Sequence, residues 1–296
     1  MNGILIVYKE PGFTSFDVVA KLRGICKQKK IGHTGTLDPD ASGVLPVCLG
    51  NATKLCDMLT DRSKEYRAVM YLGKVTDTQD ASGKVLSEGV LEANEEQVKE
   101  AILSFVGEYD QIPPMYSALK VNGQKLCDLA RAGKEVERKS RRVIIEEIEI
   151  EKMELPRVYM RVACSKGTYI RTLCHDIGQK LGCGGIMEKL ERTRAGQFVL
   201  EEARTLSQIE TIVKEGRVDE ILISTDRAFD ELPAAVVTDA GLLLVKNGNH
   251  LNAEHFAGDF SGYRGNVRVY DANGRFYAVY GWQEDKQRFA VEKMFL

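Results

Sequence analysis

"IGHTGTLDPDASGVLPV", residues 31–47, gathers glycines and turn formers and then runs into apolar sequence. Gly32, Gly35 and Gly43 let the backbone turn tightly and come close to another segment. Pro39 pushes the preceding Asp38 toward extended backbone. The "VLPVCLG" that follows reads as buried. One carboxylate is therefore held on a constrained loop at the edge of a core. An Asp-Pro pair is also an ordinary turn former, and the spacing leaves both readings of Asp38 open. His33 is a candidate base, or a residue that hydrogen-bonds within the loop. No His or Cys stands at ligand spacing from it, so no metal site is expected.

Working outward, "GILIVYKEPG" reads as a short buried strand closed by a Pro-Gly turn. "TSFDVVAKLRGICKQKK" reads as a helix, with Thr14 and Asp17 at capping-box spacing and Val18, Leu22, Ile25 and Cys26 on one face. "KEYRAVMYLGKVTDT" alternates as a strand, and "NEEQVKEAILSFVG" reads as a capped helix ending at Gly107. "RRVIIEEIEIEKME" and "RVYMRVACS" are strand-like, the second with Val158, Met160, Val162 and Cys164 on one face. "KGTYIRTLCHDIGQKLG" reads as a turn entering a helix, stopped by Gly182. Strands mixed with separate helices, without regular βαβα alternation, predict an α+β body. After Pro233 the pattern changes to one short helix, "TDAGLLLVKNG", and short strands, including a hairpin around the Asn-Gly of "NVRVYDANGRFYAVYG". A boundary near residue 230 is expected, with 231–296 a small β-rich unit.

The composition narrows the function classes. The chain has 296 residues and 44% hydrophobic content, enough for a sizeable core. Lys and Arg number 41 against 43 Asp and Glu, so a nucleic-acid partner would need basic residues gathered on one face. Three clusters could do this: "CKQKK" at 26–30, "ERKSRR" at 137–142 and "KLERTR" at 189–194. Each alone also reads as a solvated face. Seven dispersed cysteines without a CxxC pair fit reduced thiols. The opening residues lack a basic region and a long apolar core, and no apolar run reaches the roughly 20 residues of a membrane span. A soluble, cytoplasmic protein is the expectation.

"GHTGTLDPDASGVLPVCLGNATK" resembles the signature of the TruB family of tRNA pseudouridine synthases. The resemblance continues in order through "KEYRAVMYLGKVTDTQDASG", "QIPPMYSALKVNGQKLCDLARAG" and "CSKGTYIRTLCHDIGQKLGCG", covering residues 3 to about 230. The last segment is more loosely similar to the family's C-terminal PUA domain. The resemblance implies an α+β catalytic domain over 1–230 on a mixed, mainly antiparallel sheet, with an RNA-binding insert at about 121–142. It implies a PUA-like β-barrel over 231–296. It implies isomerisation of uridine-55 in the tRNA T loop to pseudouridine, on a flipped-out base. The partner is the T stem-loop of tRNA, with no cofactor and no membrane. A monomer without an obligate protein partner is expected.

The same resemblance assigns residues. Asp38 matches the nucleophile and Tyr66 the active-site tyrosine that packs on the target base, its hydroxyl a candidate to take the C5 proton. Arg171 matches the arginine that pairs with the catalytic carboxylate. Tyr169 and Leu190 match walls of the uridine pocket, and His33 a substrate-contacting histidine. Asp40 departs from the pattern by placing a second carboxylate two residues from Asp38; it is expected to face solvent. Two alternatives stand: the same chemistry on another RNA, and a tRNA-binding folding factor. The insert at 121–142, with Gly123 and Gly133 and few apolar anchors beyond Leu126 and Leu129, is expected to order on RNA.

Overall fold

Alternating burial builds the central sheet. In the strand Lys64–Leu72, Lys64, Tyr66, Ala68, Met70 and Leu72 point inward, and in Arg157–Cys164 the inward set is Val158, Met160, Val162 and Cys164. The two strands pair antiparallel from Arg157↔Tyr71 to Cys164↔Lys64. The computed structural model describes residues 1–296. Its nine-stranded main sheet runs Gly3–Lys9, Ser42–Leu49, Gly185–Ala195, Lys64–Leu72, Arg157–Cys164, Arg141–Glu154 and Gly107–Gln111, with Ile31–His33 and Phe198–Val199 as side pairings. Every pairing is antiparallel except that of Gly185–Ala195 with Ser42–Leu49. The expected mixed, mainly antiparallel α+β body is what forms.

That one parallel contact lies where the Asp38 loop enters its strand. It pairs Glu191 with Ser42 and Arg192 with Gly43. Gly43 has φ +107, and a Cβ there would meet the Arg192 carbonyl oxygen at 2.2 Å, so only glycine fits. Helices cover the sheet where their apolar stripes allow. Ile170–Lys180 sets Ile170, Leu173, Cys174 and Ile177 against the inward faces of the two central strands. Each fully buried side chain of this size contributes roughly 1.5–3 kcal/mol. Ser15–Ile25 carries the expected Thr14–Asp17 capping box and buries Val18, Val19 and Leu22.

One boundary differs from the sequence expectation. The helix expected to run to Gly107 spans Glu95–Leu103, and Gly107 instead opens the strand Gly107–Gln111. The Ser104 hydroxyl donates to the Ala101 carbonyl and accepts from Lys180, satisfying the helix end early. The insert forms a small hairpin, Lys120–Val121 with Gln124–Lys125, and a short helix, Leu126–Arg131, with Leu126 buried.

The C-terminal part is a four-stranded sheet in the order Ala234–Val236, Asn266–Tyr270, Phe276–Gln283, Arg288–Met294, packed with the helix Asp239–Lys246. It is an open sheet, where a closed barrel was expected. The Asn-Gly hairpin is present, its loop held by Asp271, whose Oδ1 accepts from the Asn273 and Arg275 amides at 2.9 Å. Phe229 of the body meets Phe295 at 5.8 Å and Phe276 at 6.2 Å, so apolar packing ties the two parts together.

Candidate active site

The Asp38 loop is a tight turn. The Ala41 amide donates to the Asp38 carbonyl at 3.1 Å, with Pro39 in the position that favours its fixed φ. Two buried side chains grip the loop on either side. The Ser15 hydroxyl accepts from the Leu37 amide at 2.9 Å. Lys9, fully buried, donates through Nζ to the carbonyls of Glu10, Pro39 and Ala41 at 3.0, 2.9 and 2.6 Å. Burial lowers the Lys9 ammonium to about 8, with Asp38 and Asp40 opposing the fall.

Arg171 meets this loop from the first turn of Ile170–Lys180. Its Nε lies 3.0 Å from Asp38 Oδ2 and its Nη2 3.2 Å from Oδ1, a two-point grip. Nη2 also donates to the Tyr116 carbonyl at 3.0 Å, and Nη1 to the Thr78 carbonyl at 3.2 Å and Asp80 Oδ2 at 3.5 Å. The Arg171 side chain is 5% exposed, Asp80 15% and Asp38 37%. The carboxylate thus faces an opening while its counter-charge is sealed behind it. Burial pushes the Asp38 carboxyl above its ordinary range; Arg171 pulls it back, and Asp80 adds to the rise. A raised, partly dry carboxylate backed by a guanidinium is suited to nucleophilic attack.

The opening is a cleft of about 570 Å³ lined by Asp38, Asp80, Tyr116, Arg171 and Leu190, with Cys127 and Arg131 reaching it from the insert. Asp40 is exposed at its rim. Tyr66 lies on the central strand Lys64–Leu72, opposite Arg192 and two residues before Ala68, which pairs with the cleft residue Leu190. It is 8% exposed, and burial pushes its hydroxyl up to about 12, so the phenol is neutral near pH 7. Tyr169 precedes the Arg171 helix and is half-buried. His33 stands apart from the cleft lining; its Nδ1 is buried without a hydrogen-bond partner, and burial lowers its pKa. The structure therefore brings Asp38, Arg171 and Leu190 to one opening, while Tyr66, Tyr169 and His33 are not among the residues that line it.

Three side chains that surround the site escaped the sequence reading. Asp80 sits in "TDTQDASG", a cluster that reads as a turn, and Oδ1 does accept from Thr78, Ser82 and the Ser82 amide at 2.6, 2.6 and 3.0 Å. Only its second oxygen faces Arg171. Lys9 ends a strand before a Pro-Gly turn and looks like a surface lysine. Arg192 belonged to the "KLERTR" cluster, read as a possible phosphate track; it is 1% exposed, with Nε on the Val44 carbonyl at 2.7 Å. It cannot meet a phosphate from there. Arg142 is exposed but already ion-paired, with Glu108 and Asp110 at 3.1 and 3.3 Å.

Comparison with known proteins gives this geometry a family. The description "TruB family pseudouridylate synthase (N terminal domain)" matches residues 23–170, and "tRNA pseudouridylate synthase B C-terminal domain" matches 171–230. The tRNA pseudouridine synthase B of Lachnoclostridium phytofermentans is 52% identical, with 100% of each chain covered. That of Clostridium perfringens (strain SM101) is 44% identical over 100% of this chain and 99% of its own. Among solved structures, an H/ACA ribonucleoprotein bound to a substrate RNA containing 2′-deoxyuridine superposes with a TM-score of 0.73 at 28% identity, covering 99% of this chain and 85% of that one. The fold is that of a pseudouridylate synthase. Within that class, the chain belongs to the TruB family.

Proposed function

We propose that this chain isomerises uridine-55 in the T loop of tRNA to pseudouridine, with Asp38 as nucleophile. The observation that carries the reading is the two-point contact of buried Arg171 with the partly open Asp38 carboxylate. The full-length relatives named tRNA pseudouridine synthase B support tRNA as the substrate. The reaction breaks the N1–C1′ bond, turns the uracil and bonds C5 to C1′; C5 loses a proton and N1 gains one. Asp38 adds covalently or stabilises charge at the sugar, and Arg171 keeps it ionised. The target base leaves its stack to enter the cleft, against Leu190 and over the ring of Tyr66. The Tyr66 hydroxyl, neutral near pH 7, acts as a relay: it takes the C5 proton while its own proton passes to solvent, so no charge is left on the phenol. Tyr169 and His33 serve the same nucleotide from the pocket wall and the loop.

Residues 1–230 act as the catalytic domain, and 231–296 as a PUA-like RNA-binding unit, supported by its compact four-stranded sheet. The insert at 121–142 closes on the T arm, which is read mainly by shape and phosphate contacts. The enzyme acts as a soluble, cytoplasmic monomer and uses no cofactor. Incubation with an unmodified tRNA transcript, followed by chemical labelling of pseudouridine, tests the reading. A single modified position in the T loop is expected. An unmodified transcript after prolonged incubation with folded protein would refute it.

A further inference from the structure

Gln111 ends the edge strand Gly107–Gln111 and is 1% exposed. It has no place in the chemistry above. Its amide nevertheless makes a closed pair with one backbone unit: Oε1 accepts from the Tyr169 N–H at 2.8 Å and Nε2 donates to the Tyr169 carbonyl at 3.0 Å. Tyr169 is the residue from which the Arg171 helix starts, and no side chain of its own caps that start. The same carbonyl also accepts the Leu173 amide at 3.1 Å, the first bond of the helix. Beyond Gln111 the chain runs to Tyr116, whose carbonyl takes a hydrogen bond from Arg171, and to Ser117, whose carbonyl takes one from Cys127 of the insert at 3.0 Å. A single segment thus holds the base of the Arg171 helix, the guanidinium itself and the root of the insert.

We infer that Gln111 is a positioning residue, which sets the register of Tyr169 and Arg171 against Asp38 through its two-way bond to the Tyr169 backbone. The inference rests on the proposed pseudouridylation. Only a side chain that donates and accepts at once satisfies both Tyr169 groups. A carboxylate in its place accepts from the N–H but faces the carbonyl with like charge density. Protonated, the same carboxyl donates and restores the pair. Burial raises its pKa, which brings that switch into an accessible range. The charged and titratable groups around it are Tyr109 on its own strand, hydrogen-bonded to Asp176 of the helix, and Arg141 across the strand pair. Burial and Asp176 push the Tyr109 hydroxyl upward, so it stays neutral throughout.

The test is Gln111→Glu, assayed by tritium release from 5-tritiated uridine in a tRNA transcript and normalised to wild type at each pH. A displacement of the order of 1 Å at a catalytic group costs up to about a hundredfold, so kcat is expected to fall at least tenfold at pH 8, with KM within about threefold. The deficit should narrow to about threefold or less at pH 6. A ratio that does not change with pH, or a loss confined to KM, would overturn the inference. If Gln111→Glu fails to fold, Gln111→Met takes its place: a lowered kcat at unchanged KM supports positioning, and a wild-type kcat ends it. Wild-type protein that releases no tritium would instead count against the pseudouridylation reading.

Discussion

Arg171→Lys keeps the charge and removes the fork. The guanidinium makes five polar contacts: two to Asp38 and one each to Asp80, Thr78 and Tyr116. An ammonium has three donors on a flexible stem, so at least two acceptors are abandoned. Asp38, 37% exposed, can turn to water, and its share of the stability loss is small. The cost falls on the carbonyls of Thr78 and Tyr116, half-buried residues of the cleft wall, and on Asp80, 15% exposed. An orphaned buried acceptor costs about 1–3 kcal/mol; for two acceptors that water can partly reach the lower end applies, and a loss of roughly 2 kcal/mol is expected for the variant. The rate suffers more, because Asp38 loses its two-point hold; a drop of about a hundredfold is expected. Urea unfolding reads the first number, and single-turnover tritium release the second. A folded Arg171→Lys variant with near-wild-type turnover would refute the argument that the fork places the carboxylate. Arg171→Ala adds a pH signature. Burial already raises the Asp38 carboxyl and Arg171 is the largest influence lowering it, so its removal raises the pKa further. Ionised Asp38 then becomes scarcer as pH falls, and the deficit should be larger at pH 6 than at pH 8.

Asp38→Asn keeps the shape of the turn but not the nucleophile, and should abolish turnover while tRNA affinity stays within about threefold, as read by filter binding. Lys9 holds the loop through three carbonyls and loses its proton near pH 8, so wild-type activity should decline above that pH; Lys9→Met should show lower activity without that alkaline limb. The stability sign is opposite: the depressed Lys9 pKa means the unfolded chain binds more protons between about 8 and its ordinary value of 10.5, so this group's destabilising contribution fades as pH rises through that window, measurable by denaturation in wild type against Lys9→Met. Binding should weaken with salt at a log-log slope of roughly 0.7 to 0.9 per phosphate neutralised, and Arg142→Gln should leave that slope unchanged, because Arg142 is already paired with Glu108 and Asp110. Hydrogen exchange should show residues 121–142 gaining protection when tRNA is added; full protection in the free protein would mark the insert as a fixed element.

Much of this molecule was written locally. The Thr14–Asp17 box, the alternation of Val158, Met160, Val162 and Cys164, and the constrained turn around Asp38 all depend on neighbours within a few residues. Such signals survive in a linear reading because capping, strand pleat and proline geometry act over that range. The long ordered motifs added the pairing of Arg171 with Asp38, which no local rule supplies. What only the tertiary structure decided is how charges are shared and sealed. Asp80 reaches Arg171 across 91 positions, and Lys9 reaches Pro39 across 30. Arg192, basic and flanked by charges, reads as solvated, yet the parallel contact of Gly185–Ala195 with Ser42–Leu49 drives it beneath the loop beside Tyr66. The open C-terminal sheet was also beyond local reading, since strand propensity does not say whether two edges meet. Burial and electrostatic pairing depend on which strands become neighbours, and that follows from the packing of the whole chain.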